Sequence, residues 1–128
     1  MSSKFLVENN LIIIENDYNR DKELINMDQT RCPRFEKAMG LLSQRWTGLI
    51  LYQLLSGPQR FCTIETSIGV SGRVLSERLK DLENEGIVKR TVYPETPVRI
   101  EYSLTDKGAA LQPLMIEIEK WSHNWLEA

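Results

Sequence analysis

The stretch VSGRVLSERLKDLENEGIVKR, Val70 to Arg90, constrains the chain most. Ser71 is of the residue type that caps helices, because its hydroxyl accepts from an otherwise orphaned backbone amide. Leu75, Leu79 and Leu82 then recur at four- and three-residue steps, the spacing of one helical face. Gly86 suits the left-handed backbone in which helices end, and the residues after it lose the helical period. The segment reads as a capped amphipathic helix delivered straight into an extended, basic run. Its outward positions are Gly72, Arg73, Ser76, Glu77 and Lys80. A helix serving only a core has no need of that polar start.

The flanking segments supply the remaining elements. CPRFEKAMGLLSQRWTGLILYQLLSG, Cys32 to Gly57, reads as one helix, with Pro33 in a first turn that tolerates it and Gly57 at the stop. Phe35, Met39, Leu42, Trp46, Leu49 and Ile50 form its apolar face. GPQRFCTIETSIG holds a short helix with Phe61, Ile64 and Ile68 on one side and Gly69 as its stop. Beyond Gly86, Val98, Ile100, Tyr102 and Leu104 alternate with Arg99, Glu101 and Ser103, the mark of a half-buried strand. PETP lies between two such runs and makes the irregular tip of a hairpin, since proline cannot serve the ladder. Thr105 caps a final helix whose stripe is Leu111, Leu114, Met115, Ile118, Trp121 and Trp125, with Pro113 kinking it or breaking it in two. Residues 1–31 stand apart. They hold the β-prone run LIIIE and the polar NDYNRDKELINMDQTR, without caps or periodicity, and read as an extension, mobile or packed on a partner subunit.

Composition excludes several classes of function. At 128 residues with 41% hydrophobic residues, the chain has material for one domain with a real core. A net charge of −2 and a pI near 5.5 rule out coating nucleic acid or membrane by bulk charge, so any anion site must be a local patch. No apolar run approaches the roughly 20 residues that span a bilayer, and the first residues lack a secretory pattern. Two cysteines far apart do not make a disulfide scaffold, so a reducing cytoplasm is the expected location. Cys32, Cys62 and the lone His123 lack the paired spacing of a zinc site. There is no phosphate-binding glycine loop, HExxH or serine elbow either. Neither an enzyme, a metal nor a cofactor is expected.

The element order is helix, short helix, turn, capped helix, hairpin, helix: mostly α with a β-hairpin wing (α+β), the order of a winged helix-turn-helix. The helix after Ser71 would enter the major groove of double-stranded DNA. Arg73 suits bidentate contact to guanine, and Ser71 and Ser76 suit phosphate or base edges. Gly72 allows close backbone approach at a helix start that favours phosphate. Glu77 shares that face, while Lys80, Lys89, Arg90 and Arg99 would neutralise phosphates. The plain alternative is a set of solvated charges on an ordinary helical domain. Taken helix by helix that reading holds; the whole order of elements favours DNA.

The motifs CPRFEKAMGLLSQRWTGLILYQLLSGPQRF, VSGRVLSERLKDLENEGIVKR and YPETPVRIEYSLTDKG, with the late tryptophans, resemble the HxlR-type winged-helix transcriptional regulators, relatives of the MarR group. The likeness runs from Cys32 to about Trp125, dividing the chain into a 1–31 extension and a 32–128 domain. It implies a homodimeric repressor on an inverted-repeat operator, joined through the first and last helices. It also gives Cys32 a role, because several such regulators sense quinones, aldehydes or oxidants with a cysteine directly before the first helix. A thiol at a helix start beside Arg31 and Arg34 independently favours its reactive form. Cys62 reads as a half-buried structural thiol or as a resolving partner. The alternatives are an activator or a repressor without thiol sensing, and a winged helix that binds protein. A thiol enzyme would lack a base. Met115 and the late tryptophans are core, dimer seam or pocket lining.

Overall fold

The computed structural model describes residues 4–8, 11–15, 23–26 and 32–128. The chain divides into two units, Met1–Gly40 and Leu41–Ala128. In the first, β1 (Lys4–Glu8), β2 (Leu11–Glu15) and β3 (Glu23–Asn26) form an antiparallel sheet in the order β1-β2-β3. LIIIE is its central strand, with Ile13 opposite Leu6 on one side and Leu24 on the other. The β-prone composition of that run was legible; its two partner strands were not. Arg31 lies outside the described residues.

The expected first helix is two helices. α1 (Pro33–Leu42) ends at a turn, and α2 (Thr47–Leu54) restarts after it. Trp46 occupies the left-handed region at φ 77°, a conformation rare for a bulky residue. Two contacts hold it there: the Arg45 guanidinium lies 4.9 Å from the Trp46 ring, and Arg78 Nε donates to the Arg45 carbonyl at 3.0 Å. The restart rotates the face. Thr47, Ile50, Leu51 and Leu54 are buried, whereas Leu49, assigned to the stripe by sequence, is exposed.

The second unit is built around α3 (Phe61–Ile68) and α4 (Gly72–Asn84), followed by the hairpin β4 (Val88–Tyr93) and β5 (Arg99–Leu104). Ile64, Leu75, Leu79 and Leu82 are at most 1% exposed and join Ile50, Leu51 and Leu54 in the core. Burying each of these side chains contributes about 1.5–3 kcal/mol. The hairpin gains a third element that the sequence did not announce: Gln59 pairs antiparallel with Tyr102, exchanging backbone bonds of 2.9 and 2.8 Å.

Pro113 separates α5 (Asp106–Ala109) from α6 (Gln112–Trp125) and sits in the first turn of α6, where its missing amide costs nothing. The stripe on α6 also divides. Met115 is buried, with Glu119 and Ser122 half-buried on its side. Leu114, Ile118, Trp121 and Trp125, at steps of four, three and four, are 42–75% exposed.

α5 is tied to the end of α4. Thr105 Oγ1 reaches the Gly86 and Ile87 carbonyls and accepts from Gly108 N, while Lys107 Nζ donates to the Glu85 carbonyl at 2.6 Å. A Cβ on Gly108 would land on the Ile87 carbonyl oxygen, so only glycine permits this approach.

Candidate nucleic-acid interface

The junction of α3 and α4 fixes the site. Gly69 ends α3 at φ 77°, its amide bonded to the Glu65 carbonyl at 2.9 Å. Val70 is buried as the plug of the turn, and Ser71 opens α4 with its Oγ accepting from Val74 N at 3.3 Å. At the far end the Gly86 amide bonds to the Glu83 carbonyl and the Ile87 amide to the Leu82 carbonyl, a Schellman stop closed by buried Ile87. α4 is therefore a rigid rod of 13 residues, about 20 Å long, clamped at both ends.

Its outward face carries the residues singled out by sequence. Arg73, Ser76, Glu77 and Lys80 are exposed. Arg73 reaches Glu77 at 3.7 Å with 89% of its side chain exposed, a surface pair worth little and easily released. Ser71 is exposed and its lone pair serves the cap, leaving the O–H free to donate. Gly72 departs from expectation. A Cβ there would meet Glu65 Oε2 at 2.6 Å and Phe61 Cε1 at 3.7 Å, so the missing side chain lets α4 approach α3 rather than opening its start to solvent.

On the hairpin, Lys89 and Arg90 are exposed on β4. Arg99 is not free in the same way. Its Nη1 donates to Glu101 at 2.8 Å, its Nη2 to Glu95 at 3.1 Å, and its guanidinium lies 3.9 Å from the Tyr93 ring. The Glu95 hydrogen bond, with the charges of Glu95 and Glu101, raises its pKa against the cost of desolvation. Two carboxylates on one guanidinium make Arg99 the clasp of the hairpin, so its charge is already compensated.

Arg60 was missed by sequence. It is exposed at the residue before the first turn of α3, in extended conformation, on the helix that precedes the turn. Its signal was the RF pair, whose position ahead of the short helix was visible in the sequence.

Both thiols are free and exposed, so Cys62 is not the half-buried residue that the sequence suggested: its place in the first turn of α3 turns it to solvent, away from Ile64. The Cys32 carbonyl accepts from Glu36 N at 2.9 Å, which places this cysteine directly at the start of α1. Cys62 lies in the first turn of α3. Among the described residues no cluster of His, Cys, Asp or Glu could hold a metal ion, and no helix is long and apolar enough to cross a membrane.

The family model of the HxlR-like helix-turn-helix matches residues 41–128, which take in the turn, α4, the hairpin and α6. The chain belongs to the HxlR family. As an HxlR protein it is a DNA-binding transcriptional regulator with a winged helix-turn-helix and no enzymatic activity. It is 65% identical over 97 residues to the HTH-type transcriptional regulator YvaP of Bacillus subtilis (strain 168), covering 75% of this chain and 90% of YvaP. The reduced form of the B. subtilis transcriptional regulator YodB matches with a TM-score of 0.69 and 46% identity, over 77% of this chain and 97% of that one. The quinone-bound form of YodB matches with a TM-score of 0.66 and 42% identity, over 74% and 100%.

Proposed function

We propose that this chain is a homodimeric repressor on an inverted-repeat operator, released when Cys32 is modified by a quinone or an oxidant. The observation that carries the reading is an exposed thiol at the start of α1, in a chain similar to a regulator solved in reduced and quinone-bound forms. α4 lies in the major groove with Arg73 on a guanine edge and Ser76 and Glu77 beside it. Ser71, Lys80, Lys89, Arg90 and Arg60 meet phosphates, while Gly72 seats α4 against α3. Arg99 holds the wing in shape through Glu95 and Glu101. The acidic bulk of the protein is no obstacle, because these cations lie at the start of α3, on α4 and on the hairpin that follows it.

The two copies meet through α1 and α6. Leu114, Ile118, Trp121 and Trp125 are large, apolar and open, and a contiguous exposed stripe of this kind marks an interaction surface. The chemistry at Cys32 is conjugate addition. The thiolate sulfur bonds to a quinone ring carbon, the ring electrons move to the carbonyl oxygen, and protonation leaves a hydroquinone thioether. A peroxide gives the alternative product, with sulfur attacking one oxygen, the O–O bond breaking and a sulfenic acid remaining. Either adduct at the seam alters the spacing of the two α4 helices and weakens operator binding. Residues 1–31 add to the contact between copies. Cytoplasmic location follows from the DNA partner.

Fluorescence anisotropy with DNA from the upstream region of its own gene tests this reading. Reduced protein should bind, and quinone treatment should abolish binding in the wild type but not in Cys32→Ser. Arg73→Ala should cost roughly 1–3 kcal/mol and relax preference at one base pair. Lys89→Ala should weaken all sequences alike and shrink the salt slope by about one. Loss of binding on treatment in Cys32→Ser as well would move the sensing elsewhere. Unchanged binding in Arg73→Ala would overturn the docking.

A further inference from the structure

Arg73 and Lys80 are exposed on α4, whereas Arg78 is half-buried. It stands three places after buried Leu75 and four before buried Leu82. It therefore flanks the inward stripe and is not on the face of Arg73, Ser76, Glu77 and Lys80. It is also the central residue of the helix, with six residues of α4 on each side. Its Nε donates at 3.0 Å to the Arg45 carbonyl, in the turn between α1 and α2.

The turn that receives this bond is poorly served by its own residues. Trp46, at φ 77°, holds a backbone conformation that is costly for a bulky side chain. As N-cap of α2 it supplies no side-chain hydrogen bond. The buried Thr47 hydroxyl beside it has no hydrogen-bond partner among the described residues. Such a bend keeps its shape through contacts from elsewhere, and Arg78 provides one from the middle of α4.

The same bond acts on α4 in return. The Ser71 cap and the Gly86 stop secure the two ends of the helix. Burial of its leucines sets which face turns inward, but apolar burial is non-directional. A directional bond at mid-helix fixes the roll that remains. Recognition groups must be held to within about 0.5 Å of their working position, so that roll matters for Arg73.

We propose that Arg78 is a positioning residue for base reading. By tying the midpoint of α4 to the α1–α2 turn, it sets the roll that presents Arg73 and Ser76 to the major groove, and it does so without touching DNA. This role rests on α4 being the helix in the groove.

Two substitutions of similar length separate positioning from phosphate contact. Arg78→Gln puts an amide N–H as many bonds from Cα as the arginine Nε, without the charge. Arg78→Met fills the same length and donates nothing. Fluorescence anisotropy of the full chain compares the duplex that wild-type protein selects from a randomised pool with an unrelated duplex of equal length, over a range of salt. Arg78→Met should lose on the order of tenfold in the ratio of the two affinities, the scale of one charge-assisted hydrogen bond. Its affinity for unrelated DNA and its salt slope should not change. Arg78→Gln should keep the ratio within about threefold of wild type. A phosphate contact predicts otherwise: both substitutions would weaken both duplexes alike and shrink the salt slope by about one. That result would overturn the proposal, as would a ratio in Arg78→Gln as low as in Arg78→Met, or a ratio unchanged in both. Circular dichroism checks that each variant is folded. Were Arg78→Met to unfold, Arg78→Gln alone decides: a wild-type ratio and slope uphold the tie, and a fallen ratio or smaller slope rejects it. Arg73→Ala in parallel tests the docking itself. Unchanged base preference there would remove α4 from the groove, and the role of Arg78 with it. A normal Arg73→Ala loss beside a failed Arg78→Gln would reject the tie alone.

Discussion

α4 and α6 are both amphipathic helices with stripes plain in the sequence, yet they meet opposite fates. Leu75, Leu79 and Leu82 of α4 are 0–1% exposed, whereas Trp121 and Trp125 of α6 are 56% and 75% exposed. Periodicity says that a face requires cover and is silent on what provides it. On α4 the chain covers the face itself, through α2, α3 and the hairpin. On α6 the described residues bury Met115 and half-bury Glu119 and Ser122, one position round from a stripe that stays bare. The face of α4 therefore contributes to folding, while the bare stripe of α6 would contribute to association in the proposed dimer.

The sharpest way to break this contrast is to truncate one residue from each stripe. Leu79→Ala removes a fully buried side chain from the core, so unfolding by urea should show about 2–5 kcal/mol of lost stability. The loss should be the same for monomer and dimer. Ile118→Ala should instead leave the unfolding of the monomer close to wild type. It should weaken association by about 2 kcal/mol, roughly thirtyfold in the dimer dissociation constant by sedimentation equilibrium. Equal effects of the two substitutions on monomer unfolding would show that α6 is covered within its own chain.

The same contrast explains which parts of the fold were legible. Ser71, Gly69 and Gly86 announced the ends of α3 and α4 because capping is local chemistry, decided by one side chain and one backbone angle. The break at Trp46 was not legible. No glycine or proline marks it, and the left-handed residue is held by tertiary contacts, Arg45 on the ring and Arg78 on the carbonyl. Placing Leu49 on one face with Ile50, and Leu114 on the same stripe as Met115, failed for a related reason: an uninterrupted helical register was carried across a break, and two adjacent faces were merged. In the interface the outward positions of α4 were readable from its inward leucines. Arg99 and Gly72 were not, since each is defined by a partner distant in sequence or on another element, Glu95 and Glu101 in one case and Glu65 in the other.

The smallest effect concerns a polar contact between α2 and α6. Tyr52 on α2 donates from its hydroxyl to Glu119 Oε2 on α6 at 2.8 Å. That hydrogen bond, followed by the charge of Glu119 and desolvation, raises the tyrosine pKa from its ordinary 10.0. A raised folded value means that the folded chain holds the proton more tightly than the unfolded chain. Its contribution is therefore complete below the ordinary value and is lost as pH rises through the folded one. Tyr52→Phe cannot donate and has nothing to titrate. The stability gap between wild type and Tyr52→Phe should be constant from neutral pH to about 9 and close above 10. Because the contact is exposed, the gap will be small, but its alkaline closure is a signature that loss of packing alone would not give. A gap that persists unchanged at high pH would mean that Tyr52 steadies α6 through its ring, and that the α2–α6 junction is apolar like the core beneath α4.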